Sequence, residues 1–315
     1  MTGGFLARRL LGTLIVLGLL SIGVFGLLYL APGSVEQTLQ GNRPASPEAL
    51  AALRARYHLD DPVVVQYLRW LGGVLQGDFG TSIRTGVPVT EAIGGRLPLT
   101  LGLILYGTLL ATLIGLPLGI LGAFRRGRAA DRAAVVTSVA GMSAPPFAVG
   151  LVLLMAFAVY LQWFPVYGQG EGFADRIWHL TLPAAALAVG SAGLLVRFTR
   201  AALIRELDQD HLVFARARGL PTRLIVGYAL RNSLIPILTA LGLILTSTLA
   251  GTVLVEVTFA LPGLGTLLVD SVTFKDMPVV QALALLLTLL ISAVNLLVDV
   301  GYALADPRIR FGASR

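Results

Sequence analysis

The sequence predicts an all-α integral membrane protein with six transmembrane helices and a helical segment outside the membrane after the first of them. Of its 315 residues, 56% are hydrophobic and only 13% are charged, whereas soluble domains carry about 25% charged residues. The hydrophobic residues form long runs, and the arginines cluster between these runs. Together these observations indicate the membrane class.

Six uncharged runs are each long enough to cross a bilayer. The first holds 21 residues, which as a helix cover the roughly 30 Å of hydrocarbon. The runs are Leu10 to Leu30, Leu97 to Phe124, Ala133 to Trp163, Ile177 to Val196, Leu234 to Val255 and Val279 to Val298. Arg8 and Arg9 resemble the start of a signal peptide, but the first run is too long for one, so we expect a retained anchor.

Two prolines, Pro145 and Pro146, interrupt the third run. Each removes a backbone hydrogen-bond donor, so the pair either kinks this helix or precedes a helix that begins late. The sequence leaves both alternatives open.

The arginines predict the orientation. One side of the membrane collects 16 arginines against six acids, a net charge of +10, while the other side holds eight basic residues against eleven acids, a net of −3. The positive-inside rule therefore predicts a multi-pass protein of the plasma or inner membrane with both termini in the cytoplasm.

The outer side carries one long segment, about Ala31 to Arg96, with two amphipathic pieces. Ser46 with Pro47, and Asp61 with Pro62, are typical of helix starts. Tyr67 and Trp70 are amphipathic rings of the kind that settle at a headgroup boundary. We expect a small helical cap on the outer face.

Several classes of function are disfavoured. There is no cysteine, the three histidines lack ligand spacing, and the only lysine, Lys275, follows no glycine-rich loop. A phosphate-binding P-loop is therefore excluded, and any ATP-driven step needs another chain. The net charge of +7 is better explained by membrane orientation than by nucleic-acid binding.

The longest loop on the basic side runs over residues 197–235, with seven arginines against three acids, a net of +4. "HLVFARARG" predicts a short helix that ends at Gly219, and Pro221 prevents its continuation. "TRLIVGYALRNSLIP" then begins a second helix that leads into the next span. The two helices would form a rigid elbow, although a solvated loop explains the composition equally well.

This stretch resembles the EAA-type loop of binding-protein-dependent ABC importer permeases. "ARARGLPTRLIVGYALRNSLIPILT" is similar to the form found in the dipeptide/oligopeptide/nickel permease family. Three further stretches resemble that family: "LDDPVVVQYLRWLGGVLQGDFGTS", "VEVTFALPGLGTLLVDSV" and "NLLVDVGYALADPRIRFG". The chain departs from the short EAA signature because Val213 and Phe214 replace Glu and Ala, and because the interval from Gly219 to Pro236 is longer.

The resemblance implies a type I ABC importer permease that forms half of a pore for di- and oligopeptides. The partners would be a second homologous permease, two ATPase subunits that hold the ATP and Mg²⁺, and an extracytoplasmic substrate-binding protein. No enzymatic role and no cofactor are expected in this chain. Its expected parts are residues 1–30 (N-terminal end and first span), 31–96 (extracytoplasmic), 97–303 (permease core) and 304–315 (cytoplasmic tail). Contact with the ATPase would involve Phe214, Ala215, Arg216, Ala217, Arg218, Gly219, Leu220, Pro221 and Arg223.

Candidate pore or gate residues lie in the last two spans. Glu256 ends span five, and "FALPGLG" then breaks the chain, which favours a short re-entrant or surface helix at the pore mouth. Asn295 and Asp299 share one face of span six, where Asp299 could form a structural bridge with an arginine at the end of span four, such as Arg197, or belong to the path. The candidates are Glu256, Pro262, Gly263, Gly265, Asn295 and Asp299, with Tyr67, Trp70 and Asp78 for docking of the binding protein.

Three other functions compete with this interpretation. A secondary transporter needs ionisable groups at mid-membrane, usually with repeat symmetry, and the sequence shows neither. An intramembrane protease would need a nucleophile motif, but "VGSAG" around Ser191 has the wrong order for G-x-S-x-G, and no histidine lies in a later span to activate the serine. A channel subunit differs in needing no ATP, and permeases of the same family for nickel chelates or glutathione also remain open.

Overall fold

The computed structural model describes residues 3–30, 48, 54–55 and 59–305, and the named elements within this part are helices. The predicted cap at Ser46 and Pro47 and the tail beyond residue 305 lie outside it. The helices are α1 (Gly3–Leu30), α2 (Val63–Leu75), α3 (Val89–Gly94), α4 (Leu97–Phe124), α5 (Ala129–Ser143), α6 (Pro146–Leu153), which continues as a π-helix (Leu154–Tyr160), α7 (Gly172–Leu207), α8 (Asp210–Ala217), α9 (Thr222–Asn232), α10 (Leu234–Thr258), α11 (Leu264–Thr273) and α12 (Met277–Ala305).

Among the residues that the structure describes, five helices are long and apolar enough to cross a membrane, and a sixth span results if the bent pair of α5 and Pro146–Tyr160 counts as one. The bend at the prolines is 100°. Ala144 and Pro145 are extended, with ψ of 124° and 137°. Each of them precedes a proline, and the proline ring disfavours the α-helical conformation in the residue before it. Helix therefore forms on both sides of the prolines: the kink is confirmed, and the late start is wrong.

Contacts divide the chain into two compact units. The larger unit comprises residues 99–261 and the chain from 294 onward, and the smaller unit comprises residues 3–98 and 262–293.

Helix α7 is the central helix of the larger unit. Its most apolar window is 61% buried, against 39% or less for the other single-helix spans. Glycines on its neighbours bring the backbones together: a Cβ on Gly115 of α4 would lie 2.9 Å from the carbonyl oxygen of Ala192, and one on Gly141 of α5 would lie 2.9 Å from that of Val189. Close approach through small residues is how membrane helices gain packing energy.

The smaller unit packs α2 against α1. The Phe25 ring lies 5.5 Å from the rings of both Tyr67 and Trp70, and the Tyr67 hydroxyl lies 2.8 Å from Ser21 Oγ. Helix α2 begins at Val63, so the predicted cap by Asp61 is wrong. The Asp61 carboxylate instead lies 2.8 Å from the Arg69 guanidinium.

A tight turn between α2 and α3 is fixed by one buried carboxylate in the same unit. Asp276, 2% exposed, accepts hydrogen bonds from the hydroxyl of Ser82 and the backbone N–H of Ile83. Val89, Leu264 and Leu283 form the apolar core beside it. Residues 79–96 are therefore part of a folded unit rather than a loose loop.

The close approach at α7 predicts that adding one methyl group there is costly. A Cβ on Gly193 would lie 2.5 Å from the carbonyl oxygen of Ser138, so Gly193→Ala should lower the free energy of unfolding by about 1–3 kcal/mol. Gly227→Ala is the matched control, because its Cβ would meet nothing within 4 Å and alanine favours helix. Thermal unfolding in detergent measures both, and equal melting temperatures would contradict the packing described.

Candidate coupling element and transport path

The turn between α8 and α9 closes in the way that the sequence predicts. Gly219 has a φ of +77°, a conformation that glycine adopts without steric cost. Its N–H donates to the carbonyl oxygen of Arg216 at 2.9 Å, and the N–H of Leu220 donates to that of Ala215 at 3.2 Å. These two bonds form a Schellman motif, which satisfies the last carbonyl groups of α8. The predicted helix end at Gly219 is confirmed.

The second helix of the elbow also follows the prediction. Pro221 is extended, with φ −63° and ψ 143°, and α9 begins directly after it. Helix α9 ends at Asn232, and α10 starts two residues later. We call α8, the turn and α9 the elbow. It leads into the following span without a flexible linker.

The elbow is anchored by its apolar inner side. Leu212, Ile225 and Ala229 are buried and pack with Leu203 and Leu207 of α7. At its edge, Asn232 Nδ2 donates to Glu206 Oε1 at 2.7 Å. The elbow is therefore held against the end of α7 by both apolar packing and a hydrogen bond.

The outer side of the elbow remains exposed. Phe214 is 68% exposed and Tyr228 is 50% exposed, and the side chains of Arg218 and Arg223 are exposed as well. Large apolar side chains in contact with water are costly, and several of them in one element indicate an interaction face. Arg216 differs from the other two arginines because it lines a cavity between the elbow and the end of α4.

A buried ion pair joins α5 to α7 near this site. Asp131, 4% exposed, accepts from Arg200 Nη2 at 2.9 Å and from the N–H of Gly127 at 2.8 Å. We did not foresee this pair from the sequence. The available signal was that Asp131 is the only acid among the arginines of residues 125–132.

The candidate gate residues occupy two separate regions. Glu256 in α10 is fully buried, and Thr100 Oγ1 donates to its Oε1 at 2.6 Å. In the smaller unit, Gly263 is the N-cap of α11, and its N–H donates to Thr266 Oγ1 at 3.1 Å. Pro262 therefore precedes the helix, and Gly265 lies buried in its first turn. The predicted short helix after the break is confirmed, and its position at a pore mouth stays a prediction.

Two polar residues of α12 differ in their surroundings. Asn295 is exposed, whereas Asp299 is 8% exposed. No ion pair joins Asp299 to Arg197, whose side chain is exposed, within the described residues. Arg197 is therefore not the partner of Asp299, and the pairing of Asp299 with another arginine stays a prediction.

The candidate docking residues also divide. Tyr67 and Trp70 are half-buried against Phe25, so their rings pack within the protein. Asp78 is exposed, and its Oδ1 accepts from the N–H of Gly80 at 2.9 Å. Of these three candidates, Asp78 alone is exposed.

Comparisons with known proteins cover nearly the whole chain. Residues 115–311 match the family described as "Binding-protein-dependent transport system inner membrane component", and residues 3–104 match its N-terminal membrane component. The oligopeptide transport system permease AppB of Bacillus subtilis is 40% identical over 98% of this chain and 99% of its own. The glutathione transport system permease GsiC of Escherichia coli K12 is 37% identical over the same shares.

A further relative and a solved structure agree with these matches. The "Probable peptide ABC transporter permease protein y4tP" of Sinorhizobium fredii is 36% identical over 98% of this chain and 100% of its own. The inward-facing MetNI methionine ABC transporter has a chain with a TM-score of 0.52 at 19% identity, covering 67% of this chain and 97% of that one. At this identity the likeness concerns the fold alone.

The Asp131–Arg200 pair predicts a difference between buried and exposed carboxylates. Asp131→Asn leaves the guanidinium of Arg200 without its counter-charge, which should lower the free energy of unfolding by about 3 kcal/mol. Asp208→Asn is the control, because Asp208 pairs with Arg126 at 3.0 Å while both side chains are at least 60% exposed, and such pairs contribute little. Melting temperatures in detergent test this, and a loss at Asp208 as large as that at Asp131 would contradict it.

Proposed function

Because the chain belongs to the family of binding-protein-dependent transport system inner membrane components, we propose that it forms half of the translocation pore of an ABC importer for peptides. It is a multi-pass membrane protein and a transport subunit rather than an enzyme. The elbow is the observation that carries the mechanism, since it presents exposed apolar and basic side chains on a rigid base.

The elbow would transmit movement from two ATPase subunits that bind ATP and Mg²⁺. Phe214 would enter a groove of the ATPase, and Arg218 and Arg223 would meet acidic residues at its rim. The apolar anchor at Leu212 and Ile225 supports this role, because a force applied to the exposed side passes directly to α7. Arg216 lines the cavity described above and would contribute less to this contact.

The proposed orientation places the elbow and both termini in the cytoplasm. The net charge of +4 on residues 197–235 supports it. The outer segment would then face the extracytoplasmic binding protein, and a second homologous permease would complete the pore.

The gate candidates that the sequence suggests are Glu256, Pro262, Gly263 and Gly265. Asn295 is a further candidate, because an exposed amide on a spanning helix is costly against lipid and is better matched by water or by a partner chain. Asp299, which is buried, would support that face.

Peptides are the substrate class that the relatives favour, since two of them are named for peptides or oligopeptides. Glutathione is itself a tripeptide, and the GsiC relatives make it the second candidate; nickel chelates come third. Uptake by the complete importer in proteoliposomes, with a dipeptide, glutathione and a nickel chelate as competitors, would separate them. Accumulation against a gradient by this chain alone would overturn the proposal.

The left-handed turn provides a test of coupling. Gly219→Asp should leave the protein inserted but uncouple ATP hydrolysis from uptake, because a side chain there meets nothing in this chain within 4 Å and would meet the ATPase. Gly86→Asp is the control, since Gly86 has a φ of +75° and equal free space in the outer segment. Uptake and ATPase rates in proteoliposomes measure both, and normal uptake by Gly219→Asp would refute the coupling role.

Docking of the binding protein can be tested at Asp78. Deleting Ser46 to Gly80 should abolish docking but also removes α2, so a point change is sharper. Asp78→Asn keeps an oxygen for the N–H of Gly80 and removes the charge, which should slow association several-fold, as rim charges do. Asp60→Asn, at another exposed carboxylate, is the control. Surface plasmon resonance measures the rates, and identical rates for the two variants would count against Asp78.

A further inference from the structure

A cavity of about 440 Å³ lies in the larger unit, where two spanning helices end. Phe124 is the last residue of α4 and Leu207 is the last residue of α7. The uncharged run of α4 ends at Phe124, and Arg125 and Arg126 follow it directly, which is typical of the boundary between the membrane and the cytoplasm. The cavity is lined by Ala123, Phe124, Arg126, Arg128, Ile204, Leu207, Asp208, Arg216, Leu220, Thr222 and Ile225.

The charges that face this cavity do not cancel. Three arginines line it against one acid, and that acid, Asp208, already pairs with Arg126 at 3.0 Å. Neither Arg128 nor Arg216 forms an ion pair with any residue that the structure describes. Two guanidinium groups from different elements are therefore left facing one space.

The remaining wall is apolar. Phe124 comes from the end of α4, Ile204 and Leu207 come from the end of α7, and Leu220 and Ile225 come from the elbow. A ligand that fits this lining carries a negative charge at one end and an apolar body at the other.

We propose that this cavity binds the phosphate group of an anionic phospholipid. A guanidinium group matches phosphate oxygens in a bidentate geometry, and basic pockets between transmembrane helices are suited to anionic headgroups. The apolar wall favours a lipid over a free anion, because inorganic phosphate gains nothing from Phe124 or Ile204.

The site has a mechanical consequence. Arg216 belongs to α8 of the elbow, and Arg128 directly precedes α5. A phosphate held by both would tie the elbow to the turn between α4 and α5. Anionic lipid would then stiffen the element that is proposed to contact the ATPase. Binding itself does not depend on the substrate or on the ATPase.

Native mass spectrometry of the purified full-length chain in detergent tests the binding. Phosphatidylglycerol and phosphatidylcholine with the same acyl chains are titrated separately. We expect one site that prefers phosphatidylglycerol, and we expect Arg128→Ala and Arg216→Ala each to weaken its binding about fivefold. Arg231→Ala is the matched control: it removes the same charge from an exposed arginine of α9 that does not line the cavity.

Two further measurements keep the result decisive. Arg128→Lys and Arg216→Lys retain the charge and should retain part of the preference for phosphatidylglycerol. They keep the proposal testable if an alanine variant does not fold. The melting temperature of each alanine variant, measured without added lipid, shows whether it folds. Inorganic phosphate in molar excess should not displace the lipid. Equal affinity for the two lipids, an equal loss in Arg231→Ala, or displacement of the lipid by phosphate in molar excess would each overturn the proposal.

Discussion

The close approach of α7 to its neighbours is the constraint on which the larger unit depends. Inside a bilayer, helices gain no hydrophobic energy by leaving lipid for one another, so close packing and polar contacts must hold them together. Glycines on α4 and α5 bring carbonyl oxygens of α7 within reach of neighbouring backbones. Where α5 meets α7 again, the Asp131–Arg200 pair adds a charged contact. The position of the elbow follows, because its apolar side packs on the end of α7.

Much of this organisation could be predicted from the sequence, because the relevant signals are local. Run length and charge distribution predict the spans, and the glycine at 219 followed by the proline at 221 predicts the elbow. The left-handed φ of Gly219 and the two closing hydrogen bonds match that prediction. The break after Glu256 was predicted for the same reason, since proline and glycine act on the backbone within a few residues.

The long-range contacts could not be predicted in this way. The Asp131–Arg200 pair joins residues 69 positions apart, and the bond from Ser82 to Asp276 joins residues 194 apart. No local pattern specifies either partner. Tyr67 and Trp70 show a related limit: their amphipathic character predicts a membrane boundary, which stays a prediction, but it does not reveal that their rings pack on Phe25. Composition tells which side chains tolerate an interface, but only the fold determines which surface they meet.

The proposed coupling to a separate ATPase sets two conditions on this subunit. The element that contacts the ATPase must be rigid, and the buried polar groups must keep their partners when the subunit moves. The elbow meets the first condition, because no flexible linker separates α9 from α10. The second condition is met by the buried carboxylates of Asp131 and Glu256, because their partners lie within the same unit. Neither carboxylate has to exchange partners when that unit moves as a body. Exposed pairs such as Arg126 with Asp208 cost little to break. Strong contacts therefore lie inside the larger unit and weak ones on its surface, a distribution that would suit the proposed rigid-body alternation between two pore states.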